Sequence, residues 1–246
     1  MAEHWLATTD TREAAAFATL GVHVQIRSDI IERTGTKTVR FLMSAISRDG
    51  SLRTGSIREA FKSGELAKLR PVHPYVVLMC ALLNRESIIA HQKTGDPVRL
   101  ENIDGTGVHR FFRGDTGLPG LSAAVPVIRT SDLNLVAALC TAGLPLVHLE
   151  GDPGRLVYYV AARNPAFPDL DGAVLTADWR NDPAAAPFEG PFHIAAHGLA
   201  VASTLRDMVR KEVSTVILSK PGTTSHVLIR ADAAPAAWDH AARFLS

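Results

Sequence analysis

Two histidines stand four residues apart in His193-Ile194-Ala195-Ala196-His197. On a helix this spacing puts both imidazoles on one face, one turn apart, the geometry with which such pairs bind zinc. The metalloprotease version also needs a glutamate directly after the first histidine, and here Ile194 follows. No third ligand is evident, so the expectation is no metal, with His193 and His73 serving as polar residues near helix starts. A second candidate is the pair Asp10 and Asp132, each in a Thr/Ser-rich context (Thr8-Thr9-Asp10, Thr130-Ser131-Asp132). Paired carboxylates suit acid–base chemistry. An aspartate just before a helical run also accepts from the first-turn N–H groups, and that capping role explains residue type, position and repetition together.

Nucleophile chemistry finds less support. Cys80 and Cys140 lie inside apolar helical runs, as buried thiols of a reducing compartment do. No Gly-x-Ser-x-Gly elbow and no Gly-x-x-x-x-Gly-Lys-Ser/Thr loop occurs, and Gly105-Thr106-Gly107 reads as a hairpin turn. Arg113-Gly114-Asp115 reads as turn chemistry. The expectation is therefore a non-enzyme without a cofactor.

Charge patterning is more informative. Arg48, Arg53, Arg58, Lys62, Lys68 and Arg70 face only Asp49, Glu59 and Glu65 over residues 48–70, a local charge of +3. Residues 166–190 carry Asp169, Asp171, Asp178, Asp182 and Glu189 against Arg180 alone, a local charge of −4. A basic segment of this kind suits a phosphate backbone or an acidic protein surface; two solvated faces that drifted apart would look the same. Ser56-Ile57-Arg58-Glu59 has capping-box form and predicts a short basic helix ending near Gly64.

The elements that must position these residues come in two sets. Leu6 to Val24 aligns without a gap onto Ile128 to Leu146, an offset of 122. Asp10 matches Asp132, Ala15-Ala16 matches Ala137-Ala138, Thr19 matches Thr141 and Gly21 matches Gly143. Asp10 or Thr9, and Asp132 or Ser131, cap the two helices, Asp10 with Glu13 also in capping-box spacing, and each glycine takes the left-handed position that ends one. Strands follow at Val22 to Arg27 and Thr38 to Ala45, and at Leu144 to Leu149 and Leu156 to Ala162. With small gaps, Ala60-Phe61-Lys62 matches Asp178-Trp179-Arg180 and Pro71-Val72-His73 matches Pro191-Phe192-His193. A further hairpin closes each half, turning at Asp104-Gly105-Thr106 and Pro221-Gly222-Thr223, and a last helix runs from Pro235 to Leu245. The predicted fold is α+β, a tandem duplication of a β-α-β-β plus α-β-β unit of about 120 residues in a pseudo-twofold pair. Its parts are residues 1–113, a linker at 114–126, and 127–246.

The segments 6–45 and 128–162, with their Thr/Ser-x-Asp helix start, small-residue helix, terminal glycine and hairpin, resemble a short family of uncharacterised phage and bacterial domains. The resemblance covers about a third of the chain and implies a phage or mobile-element context, with no activity attached.

Composition bounds the rest. The 246 residues are 46% hydrophobic and 21% charged, enough for a sizeable core. Lys and Arg number 26 against 25 acids, so no global basic field draws the chain to nucleic acid or membrane. Residues 1–5 lack the pattern of a signal peptide, and the longest apolar run, Tyr75 to Leu83, is too short for a span, so the expected location is cytoplasmic. The leading functional expectation is a nucleic-acid-associated binding protein, with Arg48, Arg53, Arg58, Lys62, Lys68 and Arg70 on the contacting surface and Phe61 as a stacking group. The alternatives are an interaction or assembly subunit, including self-association through the oppositely charged connectors, and, last, a small-molecule enzyme with its site between the halves.

Overall fold

The computed structural model describes residues 5–31, 36–68, 73–92, 98–102, 109–113, 126–151, 155–181, 188–210, 215–219 and 226–230. The expected hairpin turns at 104–106 and 221–223, the linker at 114–125 and the helix at 235–245 lie outside these.

The first half runs β1 (Trp5–Thr8), α1 (Thr11–Thr19), β2 (Val24–Ile31), β3 (Thr36–Ser44), α2 (Thr54–Lys62), α3 (Glu65–Lys68), α4 (Pro74–Gln92), β4 (Val98–Asn102) and β5 (His109–Arg113). The second runs β6 (Val127–Thr130), α5 (Leu133–Ala142), β7 (Leu146–Glu150), β8 (Val157–Ala161), α6 (Gly172–Arg180), α7 (Gly190–Arg210), β9 (Thr215–Ser219) and β10 (His226–Arg230). The chain is α+β; the basic connector, where a short helix was expected, carries α2 and α3, and the acidic one carries α6. Among the described residues no helix is long and apolar enough to cross a membrane.

Local chemistry explains the starts and stops. Asp10 accepts from the Arg12 N–H and Asp132 from Asn134 and Leu135, so both are N-caps. Glu13 departs from the expected capping box: its carboxylate meets Arg58. Gly21 (φ +82°) follows the cap of α1 and Gly143 (φ +119°) caps α5, each in the left-handed region. The helices repeat even their internal bonds, with Thr19 Oγ1 donating to the Ala15 carbonyl and Thr141 Oγ1 to the Ala137 carbonyl, both at 2.7 Å. Ser56 lies inside α2 rather than capping it, because the helix begins at Thr54.

Two five-stranded antiparallel sheets result, ordered β1-β3-β2-β9-β10 and β6-β8-β7-β4-β5. Each takes three strands from one half and a hairpin from the other. Their registers correspond at the following pairs, apart from a bulge between Leu146 and His148 that β2–β3 lacks. Trp5↔Ser44 on β1–β3 answers to Val127↔Ala161 on β6–β8, and Val24↔Met43 on β2–β3 to Leu146↔Val160 on β7–β8. At the junction with the foreign hairpin, Val24 pairs with Ile217 and Leu146 with Leu100. Within the hairpins, Val98↔Arg113 answers to Thr215↔Arg230.

Compactness therefore follows a different boundary from the expected 1–113 and 127–246. One unit comprises residues 1–69 with 200–246, the other 70–199. The cause is strand pairing: a hairpin hydrogen-bonded to the other half's sheet becomes part of that sheet. In the first unit the buried residues include Ala14–Ala18, Val24, Ile26, Phe41 and Met43, where alternate residues of β2 and β3 turn inward. In the second, Leu135–Cys140, Leu146, Tyr158 and Val160 do the same work, and the α4 residues Leu78 and Leu82 are also buried. Gly198 of α7 leaves room for Leu78, whose Cδ2 would lie 2.5 Å from an added Cβ.

Candidate anion-binding connector

The basic connector of the first unit begins where β3 ends. Its loop is tied by its own side chains. Ser47 Oγ and the N–H and hydroxyl of Ser51 all donate to Asp49 Oδ1 at 2.6–3.0 Å. These bonds, Ser47 first, hold the Asp49 carboxyl down at about 2. Gly50 makes the turn at φ +73°. The Ser47 and Leu52 backbones close the loop, Ile46 bridges to Arg53, and Thr54 donates through N–H and Oγ1 to the carbonyls of Ala45 and Ser44. The Arg48 N–H reaches back to the Gly21 carbonyl. A rigid loop thus holds the exposed Arg48, Ile46 and Arg53 in place.

Arg53 occupies the N-cap of α2, and its side chain makes no capping bond to the first-turn N–H groups. Helix starts favour Ser, Thr, Asp or Asn and disfavour cations, since the peptide dipoles sum to partial positive charge at that end. Lys62, also exposed, sits in the last turn, where a cation is favoured. Nine residues of helix separate the two by about 14 Å.

The six expected cations do not act alike. Arg58 is a correction to the surface reading. Its Nε lies 2.6 Å from Glu13 Oε1, with the arginine side chain 25% and the glutamate side chain 10% exposed. Its Nη2 donates to Glu13 Oε2 at 3.1 Å. This ion pair fastens α2 to α1 and withdraws one charge from any ligand. Lys68 ends α3, and Arg70 lies outside the described residues. Phe61 is half-buried in α2.

The matching connector of the second unit is built otherwise. Asp171 caps α6 by accepting from Ala173 and Val174, and Arg163 pairs with it. Asn164 Nδ2 donates to the Gly143 carbonyl, and Phe167 packs so closely over Gly143 that an added Cβ would meet its ring at 3.0 Å. Trp179 Nε1 donates to Asp132 Oδ2 at 2.9 Å, fastening α6 to the start of α5. Sequence reasoning missed Asp171 as a cap, although an aspartate before a Gly-Ala-Val-Leu run is the ordinary signal for one.

The histidines resolve into separate roles. His73 Nδ1 accepts from the Tyr75 N–H at the start of α4, and burial lowers its pKa. His193 bonds through Nδ1 to the Glu189 carbonyl, and its Nε2 lies 3.7 Å from Asp178 Oδ2. His197 is fully buried, with Phe188 edge-on to its ring. Among the described residues no group of three or more His, Cys, Asp or Glu side chains is placed to hold a metal ion. Neither cysteine forms a disulfide; Cys140 is buried, which pushes its thiol up to about 12, far from a reactive thiolate. Comparison of the chain with protein-family models, curated proteins and solved structures finds no match.

Proposed function

We propose that the chain is a tandem duplication whose first unit carries a non-enzymatic, phosphate-binding surface, with nucleic acid as its partner. Duplication is supported by the repeated caps, the repeated threonine bonds and the corresponding strand registers. A phage or mobile-element origin accords with it. The observation that carries the binding reading is Arg53 at an N-cap without a side-chain acceptor, on a loop that also presents Arg48, while the equivalent position in the other unit is the conventional cap Asp171. A cation at a helix start works against stability, and a local rule broken without compensation marks a place kept for function. The first-turn N–H groups of a helix also favour an anion, so they would add to the charge of Arg53. With Lys62 about 14 Å along the helix, the cations span roughly four nucleotide rises of about 3.4 Å along a duplex axis.

The test is a titration of fluorescently labelled single- and double-stranded DNA and RNA across a salt series. Binding is expected to weaken linearly on a log–log plot, and the triple variant Arg48→Glu, Arg53→Glu, Lys62→Glu to abolish it at near-native melting temperature. Absence of binding at low salt, or a triple variant that binds unchanged, removes the reading. The opposite charge of the two connectors supports a second reading, self-association of the basic surface with another copy's acidic one. Sedimentation distinguishes it: association would then depend on protein concentration, vanish on reversing either connector, and return on reversing both.

A further inference from the structure

The strand pairing carries a consequence independent of anion binding. Neither half contains a complete sheet. β2 has β3 on one side and β9 of the other half on the other; β7 has β8 on one side and β4 of the other half on the other. Without that hairpin, β2 and β7 would each be an edge, with a row of backbone N–H and C=O groups unbonded beside an apolar face. Val24, which pairs with Ile217, and Leu146, which pairs with Leu100, are both fully buried. The covalent route from one half to the other passes only through residues 114–125, between β5 and β6, and those strands lie at the outer edge of their common sheet, at opposite ends.

We infer that the exposed-in-isolation edges of β2 and β7 are protein-interaction surfaces whose partner is the α-β-β segment of the other half-chain, so that the protein is a covalently joined dimer of half-chains whose junction at 114–125 is dispensable for assembly. Each half supplies the hairpin that completes the other's sheet, the exchange seen in domain-swapped dimers. The junction contributes effective concentration and nothing more.

The experiment uses the full chain with a specific protease site inserted between Arg113 and Pro126. After cleavage the two fragments are expected to elute together as a 1:1 particle of unchanged size, and to separate only in denaturant. Their melting temperature, independent of concentration before cleavage, is expected to rise with protein concentration afterwards, because unfolding has become dissociation. Two separately folded species under native conditions, or a midpoint unmoved by dilution, would overturn the inference. Cysteine pairs provide a check that relies on neither elution nor melting. Opposed residues of antiparallel strands lie about 4.5–5.5 Å apart, within disulfide range. Val24→Cys with Ile217→Cys should therefore form a bond that links the fragments, while Val24→Cys with Leu100→Cys should not. The reverse result would place each hairpin in its own half's sheet and refute the exchange.

Discussion

The helix pairs α1/α2 and α5/α6 occupy corresponding places and solve one problem by different chemistry. Each second helix must be held against the first. In the first unit the fastening is ionic, between Arg58 and the nearly buried Glu13. In the second it is a neutral donor on a capping carboxylate, Trp179 on Asp132. The starts of the second helices diverge likewise: Thr54, buried and bonded to the Ser44 carbonyl, stands where the other unit has Gly172. The difference teaches that packing constrains the position of such a helix and leaves its chemistry open. The face not used for packing could therefore become basic in one unit and acidic in the other.

The comparison breaks most severely at the ion pair. Arg58→Ala strands a carboxylate that is only 10% exposed, and the expected cost is about 3 kcal/mol by chemical denaturation. The double change Arg58→Leu with Glu13→Leu, which imports the leucine found at the equivalent position 135, should recover much of it. If Arg58→Ala is neutral, the ion pair does not fasten α2. Next comes the helix start. An added Cβ at Gly172 would meet Ile128 Cδ1 at 2.6 Å and the Ala162 Cα at 3.0 Å. Gly172→Thr, the graft of the first unit's residue, should thus destabilise by about 1–3 kcal/mol, whereas Thr54→Gly loses a buried hydroxyl bond and costs less. Equal effects would mean that the two starts pack alike.

The caps sharpen the comparison at smaller scale. Asp132 serves two backbone donors and the Trp179 indole, while Asp10 serves the Arg12 N–H and the Arg12 guanidinium of its own first turn. Both alanine substitutions should cost on the order of 0.5–2 kcal/mol, with Asp132→Ala at the upper end because it also frees α6. Burial pushes the Asp10 carboxyl up, and the side-chain and backbone bonds from Arg12 more than offset this, leaving it below 3.8. Its contribution is present above that value and is lost as pH falls through the lowered one. Asp10→Asn, which still caps, should flatten the acid limb of a stability–pH curve.

How much of this was legible follows from the range of each interaction. The Asp10 and Asp132 caps, the terminal glycines Gly21 and Gly143, and the succession of elements along the chain were readable because they depend on neighbours a few residues away. The exchange of hairpins was not, since nothing local in Val98–Asn102 tells which of two equivalent edges it will join. Arg58 was misjudged for the same reason: its charge is visible in sequence, but its partner Glu13 lies 45 residues earlier. Arg53 and Lys62 are exposed, as a basic surface needs.

The smallest expected effect concerns His73, whose counterpart His193 is placed differently. His73 accepts at Nδ1 from the Tyr75 N–H, a role open only to the neutral ring, and burial lowers its pKa from 6.5. His193 instead lies with its Nε2 3.7 Å from Asp178 Oδ2. A lowered histidine pKa means that the unfolded chain takes up its proton first on acidification. Stability conferred by His73 is therefore complete above about 6.5 and declines as pH falls from there toward the lowered value. His73→Asn keeps a side-chain acceptor at the start of α4 without a titrating group. That variant should match the wild type in urea midpoint at pH 8 and exceed it at pH 5.5, by a few tenths of a kcal/mol. A difference that is the same at both pH values would show that His73 caps α4 without coupling it to protonation.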